Sequence, residues 1–372
     1  HCFAFNNEMR GDYALLGGRL AEAAADPKCL GFLLWPELSH TDTFLLEFLG
    51  EKSWCPGRLG ADELTDDFCA RRYPAAVRPR WRDVWRRALR LIRFTQWGGG
   101  EWPVSGFDLE FHHRLLESEQ FTVLTPERVA YYRSRCAEVV PELAYWPGVL
   151  DTLAALQEAC YGEERMRRDA VDLARALANL ALRTLFMDYC VRLDAWRAGR
   201  CGPEAPRAVE AVIRRTFAAL ADLLEQNDDF SLRVTIERLR AAHPVNPAAE
   251  RLLKLGTSNS YCRNQTCEVV RHLYLPEMAA YFELMNAKID SGDRSPFAGF
   301  ERQAGEKGSV AGFVELPIAK RRAAIGERFM NLPLAEMTFA RGASRENLQA
   351  VLKALGDALS AWFDLEPCGA TR

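Results

Sequence analysis

The stretch EERMRRDAVDLARALANLALRTLFMDYCVRLDAWRA, residues 163–198, determines most of the architecture expected of this chain. Apolar side chains recur at every third or fourth position through it, from Met166 to Trp196. This spacing lines them up along one face of a helix and indicates a single long amphipathic helix. Gly199 and the Gly-Pro pair at residues 202–203 are expected to end it.

The sequence on either side of this stretch, from about residue 126 onward, contains no convincing strand. Further helices are predicted over residues 209–224, 230–242, 246–255, 262–289 and 345–363. These patterns predict a large all-helical domain, which we assign to residues 96–372.

The first 95 residues have a different pattern. Residues 30–35, LGFLLW, form a short and wholly apolar run, which predicts a strand covered on both faces. Helices are expected around it, over residues 12–25, 44–54, 62–73 and 79–95. The order helix, strand, loop, helix is typical of an α/β barrel or a doubly wound sheet. The predicted fold class is therefore the last strands and helices of a (β/α)₈ barrel over residues 1–95, followed by the helical domain.

Composition and charge are those of an ordinary globular protein. Of 372 residues, 48% are hydrophobic and 27% are charged, and the net charge is −3. A protein with so little net charge has no basic field for nucleic acid or an anionic membrane surface. No apolar run reaches the roughly 18 residues that a membrane helix needs. Nucleic acid and membrane are therefore not expected as partners.

Motifs for cofactors and metals are absent from the sequence. There is no Gly-x-Gly-x-x-Gly or phosphate-binding loop. The adjacent pair His112-His113 would point about 100° apart on a helix and cannot share one ion. The 11 cysteines include no Cys-x-x-Cys pair, so free buried thiols are expected, with one or two disulfides as the alternative. No cofactor or metal is expected.

Glu37 is the candidate catalytic residue. It follows the apolar run directly after Pro36. In a barrel the active site lies at the carboxyl ends of the strands, and glycoside hydrolysis uses a pair of carboxyl groups. The alternative is a solvated loop glutamate with no catalytic role.

Several motifs accompany Glu37. Trp54 follows it by 17 residues, and the helix FCARRY ends at Tyr73. Farther along, residues 168–175 read RDAVDLAR and residues 260–265 read SYCRNQ. Over roughly residues 1–290 the chain thereby resembles the family 89 glycoside hydrolases, the α-N-acetylglucosaminidases. That family has a Pro-Glu pair at a strand end, a Trp at the same distance, an Ala-Arg-Arg-Tyr helix end, a Tyr-Asp-Leu-Val-Asp-Leu-Thr-Arg helix and an Asp-Tyr-Ala-Asn-Lys-Gln segment.

This resemblance implies a function. Glu37 would be the nucleophile in a retaining cleavage of terminal α-linked N-acetylglucosamine, and Asn7 and Tyr261 would bind the sugar. The acid/base residue would lie on an earlier barrel strand. Because the chain begins at His1 without that strand, it is expected to be a fragment, inactive alone, whose partners are a carbohydrate and the missing barrel half. The family would place it in a secreted, periplasmic or lysosome-like compartment.

Some pocket positions depart from the family pattern. Leu38-Ser39 replaces Gly-Ile after the acid, Leu252 replaces a pocket tryptophan, and Ser260 replaces an aspartate. Either the substrate differs or activity has been lost. Two alternatives to hydrolysis therefore stay open: a carbohydrate-binding or scaffold relative, and a helical interaction domain with an accidental resemblance.

Overall fold

The computed structural model describes residues 2–3, 9, 13–31, 33, 35–36, 43–55, 60–92, 94, 124–243, 247–259, 265–295 and 317–366. In its first half the helices are α1 (Tyr13–Ala25), α2 (Thr43–Trp54), α3 (Ala61–Arg72), α4 (Arg78–Ile92), α5 (Pro126–Leu143) and α6 (Trp146–Cys160). The later helices are α7 (Glu164–Arg197), α8 (Glu204–Leu224), α9 (Leu232–Ala242), α10 (Pro247–Asn259), α11 (Cys267–Ser291), α12 (Pro317–Asn331) and α13 (Arg345–Phe363).

Helix α7 is the centre of the fold. It is 34 residues long, and α5 and α8 pack along it. Helix α13 packs between α6 and α8 and so belongs to the same core. The backbone of Gly199 has φ +73°, and the amides of Gly199 and Arg200 donate to Trp196 and Ala195 at the end of α7. The predicted long helix and its glycine stop are confirmed, because a glycine reaches this left-handed conformation without strain.

Helix α11 departs from the simple helix predicted over residues 262–289. It begins at Cys267, and residues Val270–Tyr274 form a π-helical turn before the α-helix resumes. Thr266 caps its first turn by accepting a hydrogen bond from the Val269 amide. A π-turn is a rare single turn inside an α-helix, so a pattern read with the α-helical period assigns the whole stretch to one ordinary helix.

The first four helices pack around an aromatic cluster. The ring of Phe44 lies 5.2 Å from those of Tyr13 and Phe68 and 5.5 Å from that of Trp85, measured between centroids. Tyr73 stacks on Trp81 at 4.5 Å. Helix α4 then contacts α5, α6 and α7, and the buried apolar side chains of the described residues form one continuous core.

The prediction of a barrel remnant over residues 1–95 is wrong. Cys2–Phe3 and Trp35–Pro36 pair in parallel over two residues each, and the remaining elements described are helices. The apolar run expected to be a covered strand has Leu30 and Leu33 99% and 75% exposed. A run this short does not distinguish a buried strand from an exposed connection, and two residues are too few for a sheet. The fold class is all-helical.

Three further expectations concern a membrane partner, the domain boundary and the cysteines. Among the residues that the structure describes, no helix has the length and apolarity to cross a membrane. The expected boundary between residues 95 and 96 lies outside those residues. Eight cysteines within the described ranges are free thiols: Cys29, Cys55, Cys69, Cys136, Cys160, Cys190, Cys201 and Cys267. Burial raises the pKa of the Cys69 thiol to about 12, so this group stays protonated and is a poor nucleophile.

Candidate functional site

The three sugar-contacting residues expected from the sequence, Asn7, Glu37 and Tyr261, lie outside the described residues, as does His112-His113. The chain next to them is described at Met9, Pro36 and Gln265. The candidate functional site is therefore described through the side chains of the described residues around these three neighbouring positions.

A buried clamp joins the end of α3 to α7. The guanidinium of Arg72 donates from Nε and Nη2 to the two carboxylate oxygens of Asp169, at 2.6 and 2.7 Å. The hydroxyl of Tyr73 donates to the same carboxylate at 2.8 Å and accepts from Trp85 Nε1 at 2.8 Å. Asp169 is 2% exposed. We call these four residues the Asp169 clamp.

Two groups of the clamp, Tyr73 and Arg72, are each held in one protonation state. Burial raises the pKa of Tyr73 well above its usual value, and the Asp169 charge raises it further, so this hydroxyl remains a donor. Burial acts to lower the pKa of Arg72, but the hydrogen bond and charge of Asp169 outweigh it and raise that pKa. Groups fixed in this way hold helices together and do not exchange protons with a substrate.

A second buried network lies one turn farther along α7. Arg175 donates to Asp172 Oδ1 from Nε and Nη2, at 3.1 and 2.6 Å, and to Gln265 Oε1 from Nη1, at 3.1 Å. Asn179 and Gln265 exchange two amide hydrogen bonds, at 2.9 and 2.7 Å. Phe230 lies against the Arg175 guanidinium at 5.5 Å. We call Asp172, Arg175, Asn179 and Gln265 the Gln265 network.

Sequence reasoning missed these networks, although a signal was present. Asp169, Asp172, Arg175 and Asn179 follow one another at spacings of three and four along a helix that is otherwise apolar on most sides. Polar residues at helical spacing share a face. A polar stripe within a helix buried on all sides predicts buried partners, because a charged group is rarely buried unless it is paired.

Two buried carboxylates elsewhere accept hydrogen bonds from both backbone and side-chain donors. Glu225 accepts from the amides of residues 340–342 at 2.9, 2.9 and 3.3 Å and pairs with Arg271 at 2.6 Å. Glu268 accepts from Ser231 Oγ and from the first two amides of α9, at 2.7 to 2.9 Å. Their oxygens are occupied by protein donors, which makes them anchors for a loop and a helix start.

Beside Met9 the core contains a small apolar cavity of about 20 Å³. It is lined by Met9, Ala88, Leu91, Ile92, Trp146, Leu173, Ala176, Leu177 and Leu180. One water molecule needs roughly 10–15 Å³ of such space and polar partners, so this cavity is too small for a sugar ring. Within the described ranges no group of three or more His, Cys, Asp or Glu side chains is arranged to hold a metal ion.

His272, in the π-turn, makes stability depend on pH. Burial lowers its pKa, and the charges of Arg271 and Arg328 lower it further against the opposing effect of Glu268. The unfolded chain, with a histidine pKa of about 6.5, then binds the proton more readily, so stability falls as pH drops below that value. We expect the urea midpoint to fall less between about pH 7.5 and 5.5 in His272→Gln than in the wild type.

The control for this prediction is His243→Gln, which removes an exposed histidine at the end of α9. If the urea midpoint fell as far in His272→Gln as in the wild type and in His243→Gln, that result would contradict the prediction.

In comparisons with known proteins, no family model matches the chain and no curated protein matches it significantly.

Proposed function

We propose that this chain belongs to a glycoside hydrolase that removes terminal α-linked N-acetylglucosamine with retention of configuration. The proposal rests on the resemblance of its motifs to the family 89 enzymes. One observation supports it most. The three motif stretches FCARRY, RDAVDLAR and SYCRNQ, far apart in sequence, are joined by direct hydrogen bonds: Arg72 and Tyr73 to Asp169, and Arg175 to Gln265. The contacts bring the three motif stretches together in one part of the core, as a shared role would require.

The anchor points of the expected sugar-binding residues also support the proposal. Met9, two residues after Asn7, lines the same small cavity as Leu173 and Leu177 of α7. Gln265, four residues after Tyr261, binds Arg175 and Asn179. Met9 and Gln265 therefore both lie beside the same two turns of α7.

The proposed reaction proceeds in two steps. The carboxylate of Glu37 attacks the anomeric carbon and forms a glycosyl ester, while the bond to the leaving oxygen breaks and a second carboxylic acid donates a proton to that oxygen. Water, deprotonated by the same second residue, then hydrolyses the ester. The resemblance assigns this acid/base role to no particular residue of the chain.

A carbohydrate-binding relative without hydrolysis is the second candidate. Leu252, which stands where the family has a pocket tryptophan, is 64% exposed on α10. Leucine lacks the flat aromatic face on which a sugar ring stacks. A changed substrate or a lost activity would follow from this departure.

The stereochemistry of the product tests the reaction class. We expect the protein to release the α-anomer of N-acetylglucosamine first from an aryl α-N-acetylglucosaminide, because two inversions at the anomeric carbon restore the configuration. Proton NMR during the first minutes of turnover distinguishes the anomers. Release of the β-anomer would exclude a glycosyl-enzyme ester, and binding of N-acetylglucosamine without turnover would favour the second candidate.

A further inference from the structure

Helix α12 lies at the edge of the fold and is attached by little buried surface. It packs against α10, against α11 and against the π-turn within α11. Of its side chains that the structure describes, only that of Phe329 is buried. Arg321 pairs with Glu283 of α11, but these side chains are 47% and 64% exposed, so water and salt screen the pair. A segment that buries little surface opens locally at a lower free-energy cost than the core.

The π-turn places His272 where α12 meets α11. The imidazole is partly buried, and the charges of two arginines act on it. Arg271 is its neighbour in the turn, and Arg328 belongs to α12, one residue before the buried Phe329. A proton taken up by His272 would therefore add a third positive charge to this contact.

The carboxylates at this contact already bind other donors. Glu268, whose charge opposes the two arginines at the imidazole, accepts hydrogen bonds from Ser231 Oγ and from the first two amides of α9. Asp222 and Glu225 of α8 both pair with Arg271, at 2.8 and 2.6 Å. The added proton would thus meet repulsion that these carboxylates only partly offset.

We propose that His272 is a pH switch for the docking of α12. Protonation of its imidazole loosens α12 from the π-turn, while the remaining helices stay folded. The acid sensitivity of stability derived above for the whole chain then arises first in this one helix. The inference is independent of the sugar-binding role proposed above.

The direction of the switch follows from proton linkage. Burial, Arg271 and Arg328 lower the pKa of His272 while α12 is docked. Release of α12 brings the imidazole into water and returns its pKa toward about 6.5, so the open form binds the proton more readily. At pH 5.5 a group with that pKa is about nine-tenths protonated. The opening equilibrium can then rise by up to about tenfold over its value at pH 7.5.

Hydrogen exchange of the wild-type chain at pH 7.5 and 5.5 tests the switch. Each amide rate is divided by the intrinsic chemical rate at the same pH, which leaves the protection due to structure. We expect the protection of the α12 amides to fall by about threefold to tenfold at pH 5.5. The protection of α7 and α13 should stay unchanged.

Two variants separate His272 from other acid effects. His272→Gln keeps a polar side chain but cannot take up the proton, so the protection of α12 should be equal at both pH values. Arg328→Gln changes an exposed side chain and removes one of the two cations. Its docked histidine should have a pKa closer to that of the open form, so the fall should be smaller than in the wild type. The control His243→Gln should retain the whole wild-type fall.

Three results would overturn the inference. The first is equal protection of α12 in the wild type at both pH values. The second is a fall in His272→Gln as large as in the wild type, which would assign the response to another group. The third is an equal loss of protection in α7, α12 and α13, which would show global and not local opening. If His272→Gln did not fold, Arg328→Gln would decide, and an undiminished fall there would reject the switch.

Discussion

Replacing Glu37 with alanine should lower hydrolysis of an aryl α-N-acetylglucosaminide by about three orders of magnitude or more, because removal of a nucleophile leaves only binding and the remaining acid to assist the reaction. KM should change much less than kcat, since the lost interaction is one made in the transition state. The measurement is the initial rate of aryl alcohol release by the wild-type protein and by the variant at equal concentration.

Azide should restore part of the activity of Glu37→Ala. In the proposed mechanism the carboxylate attacks from the face of the sugar opposite the leaving group, so azide that takes its place would attack with a single inversion. The product should be the β-glycosyl azide. A reactivated variant that released only free sugar would argue against Glu37 as the nucleophile.

The matched control for Glu37→Ala is Glu22→Ala, on the exposed face of α1. It should retain full activity. Wild-type turnover by Glu37→Ala would contradict the assignment of the nucleophile.

The helical part of the fold was predictable because its signal is long. Helix α7 repeats its apolar spacing over 34 residues and ends at a glycine that adopts a left-handed conformation. Helix α13 likewise matches the predicted range of 345–363. Over such lengths no strand pattern competes with the helical one.

The N-terminal region was not predictable in the same way. The apolar run at residues 30–35 is compatible with a strand, but a strand exists only where a neighbour supplies hydrogen bonds. Cys2–Phe3 supplies them to two residues only, and Leu30 and Leu33 are exposed. The local sequence does not indicate how many strands pair with the run. The strand prediction was therefore wrong because tertiary structure, which the local pattern does not contain, decides whether a strand forms.

The buried networks were half predictable. The polar spacing on α7 indicates that Asp169 and Arg175 need partners. Their partners, however, come from other helices: Arg72 is 97 residues from Asp169, and Gln265 is 90 residues from Arg175. The sequence alone does not indicate which arginine pairs with Asp169, and the stretch FCARRY itself contains two adjacent arginines.

The second prediction with a large expected effect concerns the buried pair of Arg72 and Asp169. Replacing Asp169 with asparagine should lower the free energy of unfolding by about 3 kcal/mol, because the partly buried Arg72 loses its counter-charge while remaining in place. The side chain of Arg72 is 18% exposed, which keeps the expected loss at the lower end for a buried pair. Urea unfolding should show a lower midpoint with an unchanged slope, as expected when stability alone changes.

The neighbouring Arg71 provides the control. It pairs with Asp67 across one helical turn, at 2.6 Å, with both side chains more than 40% exposed. Asp67→Asn should therefore change stability by less than about 0.5 kcal/mol, since water and salt screen exposed pairs. Equal effects of Asp169→Asn and Asp67→Asn would contradict the clamp.

The double variant Arg72→Met/Asp169→Leu should recover part of the loss, because apolar groups then replace both charges and only the Tyr73 hydroxyl lacks its acceptor. Such recovery would show that the cost of Asp169→Asn lies in an unpaired buried charge and not in lost packing.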